Sequence, residues 1–397
     1  TPAVTIRTGD MEHTTVKALY PVFCLNKGAT HACYSLLNAM RNEALAVEYW
    51  SAQFAPHLTD DFLRPGIPRT LYRFLCAFHL YDRPGVAAWS GRRLEQRYLN
   101  SLRERDIAYL WPSVSLDLYR AIKKRGITLV AERINCHRKT SIRVLREAYE
   151  KLGWAPEHGI PERDLATENE KMALADFVFA PSSNVAESLL DAGVPERKLL
   201  RSSYGWEPRR FRFEDRAPSD PACPTFLFVG RGSVRKGVPW LLEMWERAGV
   251  KGRLLLFLLG SLEPPVLQHY GHCLDRDDVV IPDDTSNVSE AYRHADVFIF
   301  PTHEEGSPLV SYEALAWGLP CLVSPMGGGE IIRDGVEGFV MDPYDVDLWA
   351  ERIRQLAQDH ALRETMARAA RERAATFTWD RVGIHRRELL LSRVINS

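Results

Sequence analysis

The chain has 397 residues, of which 45% are hydrophobic and 10% aromatic, with 51 basic against 52 acidic side chains. That is enough for two domains of ordinary size, each with its own core, and a net charge of −1 makes no electrostatic demand for nucleic acid. Seven cysteines without a C-x-x-C pair argue against a disulfide framework or a zinc site and for a reducing, cytoplasmic compartment. No apolar run reaches the length of a membrane span, and no secretory signal is read at the start. Up to about residue 205 the chain carries roughly five more positive than negative charges, and the remainder roughly six more negative.

Residues 1–13 read as a loose polar arm. Val16 to Phe23 is the first strand, Asn26 to Thr30 a turn, and His31 to about Val47 a helix. Residues 54–125 alternate helical and irregular patterns. Arg92, Arg93, Arg97, Arg103 and Arg105, then Lys123, Lys124 and Arg125, form basic runs. They read as a solvated face, or as contact with a phosphate-bearing or membrane-borne acceptor. Ile127 to Ala131 is a clear strand that emerges into a charged loop, Glu132 to Thr140, before a helix to about Leu152. Such a loop at a strand's carboxyl end is where open α/β sheets bind ligands. Ala175 to Ala180 is another strand, a serine then caps a helix over 184–192, and residues 214–224 read as linker.

Thr225 to Val229 is the next strand, followed by Gly230-Arg231-Gly232-Ser233-Val234-Arg235-Lys236-Gly237 and a helix to about Ala248. A dinucleotide fingerprint would need glycine at Arg235, and a P-loop would need its lysine after Gly237 rather than before it, so both are excluded. Strands follow at Arg253 to Leu259, at Val279 to Ile281 and at Val297 to Phe300. After the last of these comes His303-Glu304-Glu305-Gly306-Ser307, with Ser307 expected as N-cap and Pro308 as first residue of a helix closed by Gly318 and Pro320. Backbone N–H groups at such a helix start suit a phosphate. Glu305 either serves a bound ligand there or, with Glu304, merely complements the helix dipole. Glu313, on an apolar helix, either needs a hydrogen-bond donor or lies on a solvated stripe. Asp345 and Asp347 have the spacing of a metal pair, but they stand where a helix starts and read as capping residues.

Glu305-Gly306, Glu313 eight residues on, and Gly327 to Glu330 together resemble the donor-site signature of the retaining glycosyltransferases of glycosyltransferase family 4. Gly230-Arg231 with Lys236-Gly237, and Tyr204-Gly205-Trp206-Glu207-Pro208-Arg209-Arg210-Phe211, resemble that family's phosphate loop and inter-domain connector, with Glu207 in place of the usual Asp. The resemblance implies a GT-B fold: an α/β protein of two doubly wound Rossmann-like domains facing a central cleft. It implies an acceptor-side domain over 1–205, completed by a C-terminal helix over 378–397, and a nucleotide-sugar donor domain over 206–377.

The implied activity is transfer of a sugar from a nucleotide-diphosphate sugar, UDP or GDP foremost, to an acceptor hydroxyl with retention. The acceptor would be a glycan, a lipid-linked sugar or a small molecule, as in cell-surface polysaccharide biosynthesis. Arg231 and Lys236 would neutralise the diphosphate, Glu305 orient sugar hydroxyls, Glu313 the ribose, and His137 touch the sugar. Gly306, Ser307, Pro308, Leu309, Val310, Gly230 and Ile281 would line the donor, with Lys27, Gly28 and Arg133 as further candidates. No metal and no cofactor is required, nucleic acid is not a partner, and peripheral contact with the inner face of the membrane is expected of the basic first domain. The rivals are an epimerase or phosphorylase on the same fold and a catalytically silent nucleotide-sugar-binding protein.

Overall fold

The computed structural model describes residues 14–25, 28–77, 83–211, 216–217, 219–283 and 287–395. The expected arm over 1–13, Lys27 and part of the linker lie outside these residues. The chain divides into two compact units, one of residues 1–132, 170–179 and 383–397, the other of residues 133–169 and 180–382.

Seven strands form the first sheet: β1 Thr15–Cys24, β2 Ala46–Phe54, β3 Leu63–Pro65, β4 Ile107–Leu110, β5 Thr128–Glu132, β6 Phe177–Ala180 and β7 Leu199–Arg201. Their order is β3-β2-β1-β4-β5-β6-β7, and β1 pairs in parallel with both β2 and β4. The second sheet contains β8 Thr225–Gly232, β9 Arg253–Leu262, β10 Val279–Val280, β11 Val297–Phe300, β12 Cys321–Val323 and β13 Gly338–Val340, in the order β10-β9-β8-β11-β12-β13. These are the two parallel-sheet α/β domains expected of a GT-B fold. Both faces of a parallel sheet are covered by crossover helices, so its strands read as continuous apolar runs. Phe226 to Phe228 and Val297 to Ile299 are fully buried, and each such large side chain contributes about 1.5–3 kcal/mol.

Two local readings are corrected. The helix after β1 is Gly28–Met40, and Ala46 onward is β2 rather than more helix. Asn42 reverses the chain by accepting from the Ala44 and Leu45 N–H groups, and Val47-Glu48-Tyr49-Trp50 is rich in strand formers. Ile107–Leu110, entirely buried, is a strand inside a region that reads as helical and irregular.

In the first unit, Arg386 is fully buried and pairs with Glu132 at 2.8 Å and with the Tyr109 hydroxyl at 3.0 Å. Burying both charges is tolerable because each finds its partner and Tyr109 also donates to Glu132. No helix among the described residues is long and apolar enough to cross a membrane.

Candidate functional site

The strand order places β8 beside β11, in register through Val297 with Phe226 and Phe298 with Leu227. From β8 the chain proceeds to β9 on one side, and β12 lies beyond β11 on the other. This is the switch point of a doubly wound sheet, where loops at the carboxyl ends diverge and leave room for a ligand. The loops that leave here are 233–237 and 301–308.

Gly237 allows the first of these loops to turn directly into the helix Val238–Ala248. Its φ is +73°, and a Cβ there would collide with the Pro301 carbonyl. The second loop is fixed from behind by His303. That ring is 2% exposed and lies against Trp240, with centroids 4.3 Å apart, and against Tyr344 at 4.7 Å. Burial lowers its pKa to about 3, so the imidazole is a neutral wedge at physiological pH. The His303 N–H and the Thr302 hydroxyl both donate to the Arg235 carbonyl, at 2.9 and 3.1 Å, and tie the two loops together.

The side chains continue the pairing. Arg235 Nε is 2.7 Å from Glu304 Oε2, and Lys236 Nζ contacts Glu305 Oε1 directly. Arg235 also reaches Glu305 at 3.9 Å. Glu304 is 2% and Glu305 8% exposed, so neither is a solvated loop carboxylate. Burial pulls the Lys236 ammonium down to about 7, and the Arg235 charge acts in the same direction. Glu304 opposes that shift. Arg231 stands exposed near the end of β8, close enough to repel Lys236.

The helix that follows begins at Leu309, with Pro308 in the capping position and extended. Ser307, expected as the N-cap, therefore stands one residue before the actual cap, and its hydroxyl pairs with the Tyr312 hydroxyl at 2.8 Å instead. Leu309 and Val310 are half-buried in the first turn. Glu313 is half-buried, and Tyr292 supplies the donor it needs at 3.1 Å. Burial nevertheless pushes its pKa up to about 7. Gly230 is inside β8 against Phe228, while Ile281 lies beyond β10 and is 38% exposed.

Residues 133–138 and 182–184 of the same unit pack on this loop. A Cβ at Gly306 would collide with the Ile134 carbonyl and lie 2.7 Å from Asn135 Cα. Cys136 Sγ donates to the Glu305 carbonyl at 3.3 Å, Ser141 Oγ to Glu304 Oε1 at 2.9 Å, and Ser182 Oγ to the Gly306 carbonyl at 2.5 Å. Beside them is a pocket of about 520 Å³, partly open to solvent, lined by Asn184, Gly306, Ser307, Pro308, Glu330 and Arg373 among others.

His137 itself is 1% exposed. Its Nδ1 accepts from the Lys139 N–H at 3.3 Å, and its Nε2 is 3.6 Å from Glu168 Oε2. Burial lowers its pKa, and Glu168 opposes the shift. Glu168, 2% exposed, also holds Arg133 and accepts from the Arg138 N–H at 2.8 Å. Gly28 belongs to the first unit and opens the helix Gly28–Met40 with a φ of +62°.

Lys236, Glu305, Gly306 and Ser307 are thus brought together from the predicted set. Arg235, Glu304, Ser141, Tyr292 and Glu168 were missed. Arg235 and Glu304 each stand next to a predicted residue. For Ser141, Tyr292 and Glu168 the sequence carries no local signal.

Residues 223–359 match the family model described as Glycosyl transferases group 1, so this segment carries a domain of that class. Among relatives, the D-inositol 3-phosphate glycosyltransferase of Xylanimonas cellulosilytica is 32% identical over 40% of this chain and 39% of its own length. The enzyme of the same name from Streptomyces avermitilis is 29% identical over 77% of this chain and 67% of its own. Over the matching stretches the chain spans about 40–60% of the length of several such relatives. Among solved structures, Anabaena Alr3699/HepE in complex with UDP and glucose superimposes with a TM-score of 0.66 over 96% of this chain and all of its own, at 16% identity. That likeness is one of fold.

Proposed function

We propose that this chain is a retaining glycosyltransferase that moves a sugar from a nucleotide-diphosphate sugar to an acceptor hydroxyl. The observation that carries the reading is the Lys236–Glu305 contact at the switch point of the second sheet, with Arg231 and Arg235 beside it. As the sugar–phosphate bond breaks, charge grows on the leaving diphosphate. Fixed cations in a partly buried site stabilise that charge. Arg231 and Lys236 supply it, and N–H groups over Ser307 to Val310 add to it. Glu305 orients sugar hydroxyls from the same cluster, and Glu313 addresses the ribose.

The acceptor attacks on the face from which the diphosphate leaves, and a donor phosphate oxygen takes its proton, so no protein nucleophile and no metal is needed. Arg133 is held by Glu168, with His137 beside it, in the segment that packs on Gly306, which supports a role for that segment in shaping the sugar site. The donor is a UDP or GDP sugar, in keeping with the UDP and glucose of the HepE structure. The acceptor is a glycan, a lipid-linked sugar or a small molecule, and the enzyme works in the cytoplasm, with peripheral contact to the inner face of the membrane through its first unit.

The test is a thermal-shift titration with UDP, GDP, ADP and TDP, then their sugars. One base is expected to raise the melting midpoint, and Arg231→Ala with Lys236→Ala is expected to remove the shift. Donor turnover should be lost in Glu305→Ala. Turnover without an acceptor would favour an epimerase. A phosphate requirement would favour a phosphorylase. Binding without any turnover would favour a silent binding protein.

A further inference from the structure

Four large apolar side chains are exposed among the described residues of the first unit: Leu25 (43%), Phe74 (54%), Trp89 (42%) and Ile384. The first three share one edge of the sheet. Leu25 directly follows β1 at its carboxyl end. The helix Arg69–Ala77, which carries Phe74, sits at that end too, because Tyr72 stacks on Phe23 of β1 with centroids 5.3 Å apart. The helix Pro84–Ser101 runs down to the amino edge, where the Ser101 carbonyl accepts from Lys17 at 2.5 Å. Leu94 already lies level with Gly66, just past β3. Trp89, more than a turn nearer the helix start, therefore stands at the carboxyl edge.

The charge at this edge is one-sided. Described residues 66–77 and 83–94 contain Arg69, Arg73, Arg83, Arg92 and Arg93 and no acidic residue, and all five arginines are exposed. The other basic residues of the first unit are largely accounted for. Arg97 donates to the Pro65 and Gly66 carbonyls, Lys123 pairs with Asp176, and Arg125 donates to the Leu99 and Leu102 carbonyls.

We infer that the exposed face of these two helices docks on an anionic lipid bilayer, with Trp89 and Phe74 entering the interface and the arginines meeting the headgroups. Arg93 lies over the Trp89 ring at 5.7 Å, and Glu95, the acidic residue of the described part of these two helices, is taken up by Ser115, so an aromatic anchor flanked by exposed arginines fits that surface and no neutral one. Because this is the carboxyl edge of the sheet, where open α/β sheets take ligands, docking would present the first unit's ligand edge to a membrane-borne acceptor. The inference deepens the membrane contact proposed above and does not require the transfer reaction.

The experiment is flotation of the full chain with phosphatidylcholine vesicles that do or do not contain phosphatidylglycerol. Wild type is expected to float with the anionic vesicles only, and less so as salt rises. Phe74→Ala with Trp89→Ala, and separately Arg73→Gln with Arg92→Gln and Arg93→Gln, should each cut binding by at least about tenfold. Melting should be unchanged, and Ile384→Ala should float as wild type. Equal recovery with both vesicle types, or wild-type flotation of both variants, overturns the inference. Nucleotide melting shifts measured on the same samples report on the transferase reading separately.

Discussion

Arg235 Nε lies 2.7 Å from Glu304 Oε2, and the next residue of each loop repeats the contact, Lys236 against Glu305. Two adjacent cations after β8 thus meet two adjacent carboxylates after β11. Ser141 ties the Arg235–Glu304 pair further, while Lys236 and Glu305 are the pair that the proposed function gives to the donor. The two pairs should therefore respond differently to mutation.

Arg235→Ala leaves the buried Glu304 with Ser141 as its remaining side-chain partner. Removing one partner of a buried pair typically costs about 3–5 kcal/mol. Arg235 is itself partly exposed, so a loss of about 1–3 kcal/mol is expected in urea unfolding. Lys236→Ala should cost less stability than function, abolishing nucleotide-induced melting shifts while the apo midpoint falls by only a few degrees.

Glu313 gives a pH dependence. Burial raises its folded pKa from 4.5 to about 7. The folded state then binds more protons than the unfolded state between those values, so stability falls as pH rises from about 4.5 to about 7. Glu313→Gln should remove this slope and melt above wild type at pH 8, by roughly 1–3 kcal/mol, with the two converging near pH 4. Parallel melting curves for both proteins across that range would contradict the assignment.

Glu168 anchors the segment that packs on Gly306. Glu168→Gln keeps the volume but strands Arg133 and weakens the N–H contact from Arg138. Unfolding free energy should drop by about 2–4 kcal/mol, measured by urea titration, and donor affinity should fall with it. Gly306→Ala acts on the other side of the same contact. Its Cβ has no room against the Ile134–Asn135 backbone, and a cost of about 1–3 kcal/mol or more is expected.

Asp345 caps the helix Val346–Gln358 by accepting from the Leu348 N–H at 3.0 Å. Asp345→Ala should therefore cost about 1 kcal/mol. The loss should be the same with and without a chelator in the melting buffer.

Much of the second sheet was legible because its strands are short apolar runs between turn residues. The run 225–229 and the run 297–300 announce themselves in this way; in the first sheet, the serine cap expected after β6 falls at Ser182, with the helix starting at Ser183 rather than 184. The first domain was less legible. Residues 41 to 47 continue the helical pattern without a break residue other than Asn42, and the Asx turn that ends the helix depends on how Asn42 folds back on Leu45. Ser307 was misplaced by one residue because its hydroxyl had a better partner in Tyr312 than in the helix backbone.

What the sequence determined by itself was local: apolar runs, caps, and the spacing of Arg231, Lys236, Glu305 and Glu313. These follow from the periods of helix and strand and from backbone chemistry a few residues in reach. What only the tertiary structure decided was adjacency. β8 lies beside β11 because of strand pairing across the whole domain, and that pairing sets Arg235 and Lys236 against Glu304 and Glu305. Packing elsewhere in the unit buries Glu168 beside His137 and sets Tyr292 against Glu313. Burial and partner choice then fix which carboxylates are paired and which have shifted pKa values, and no local pattern encodes them.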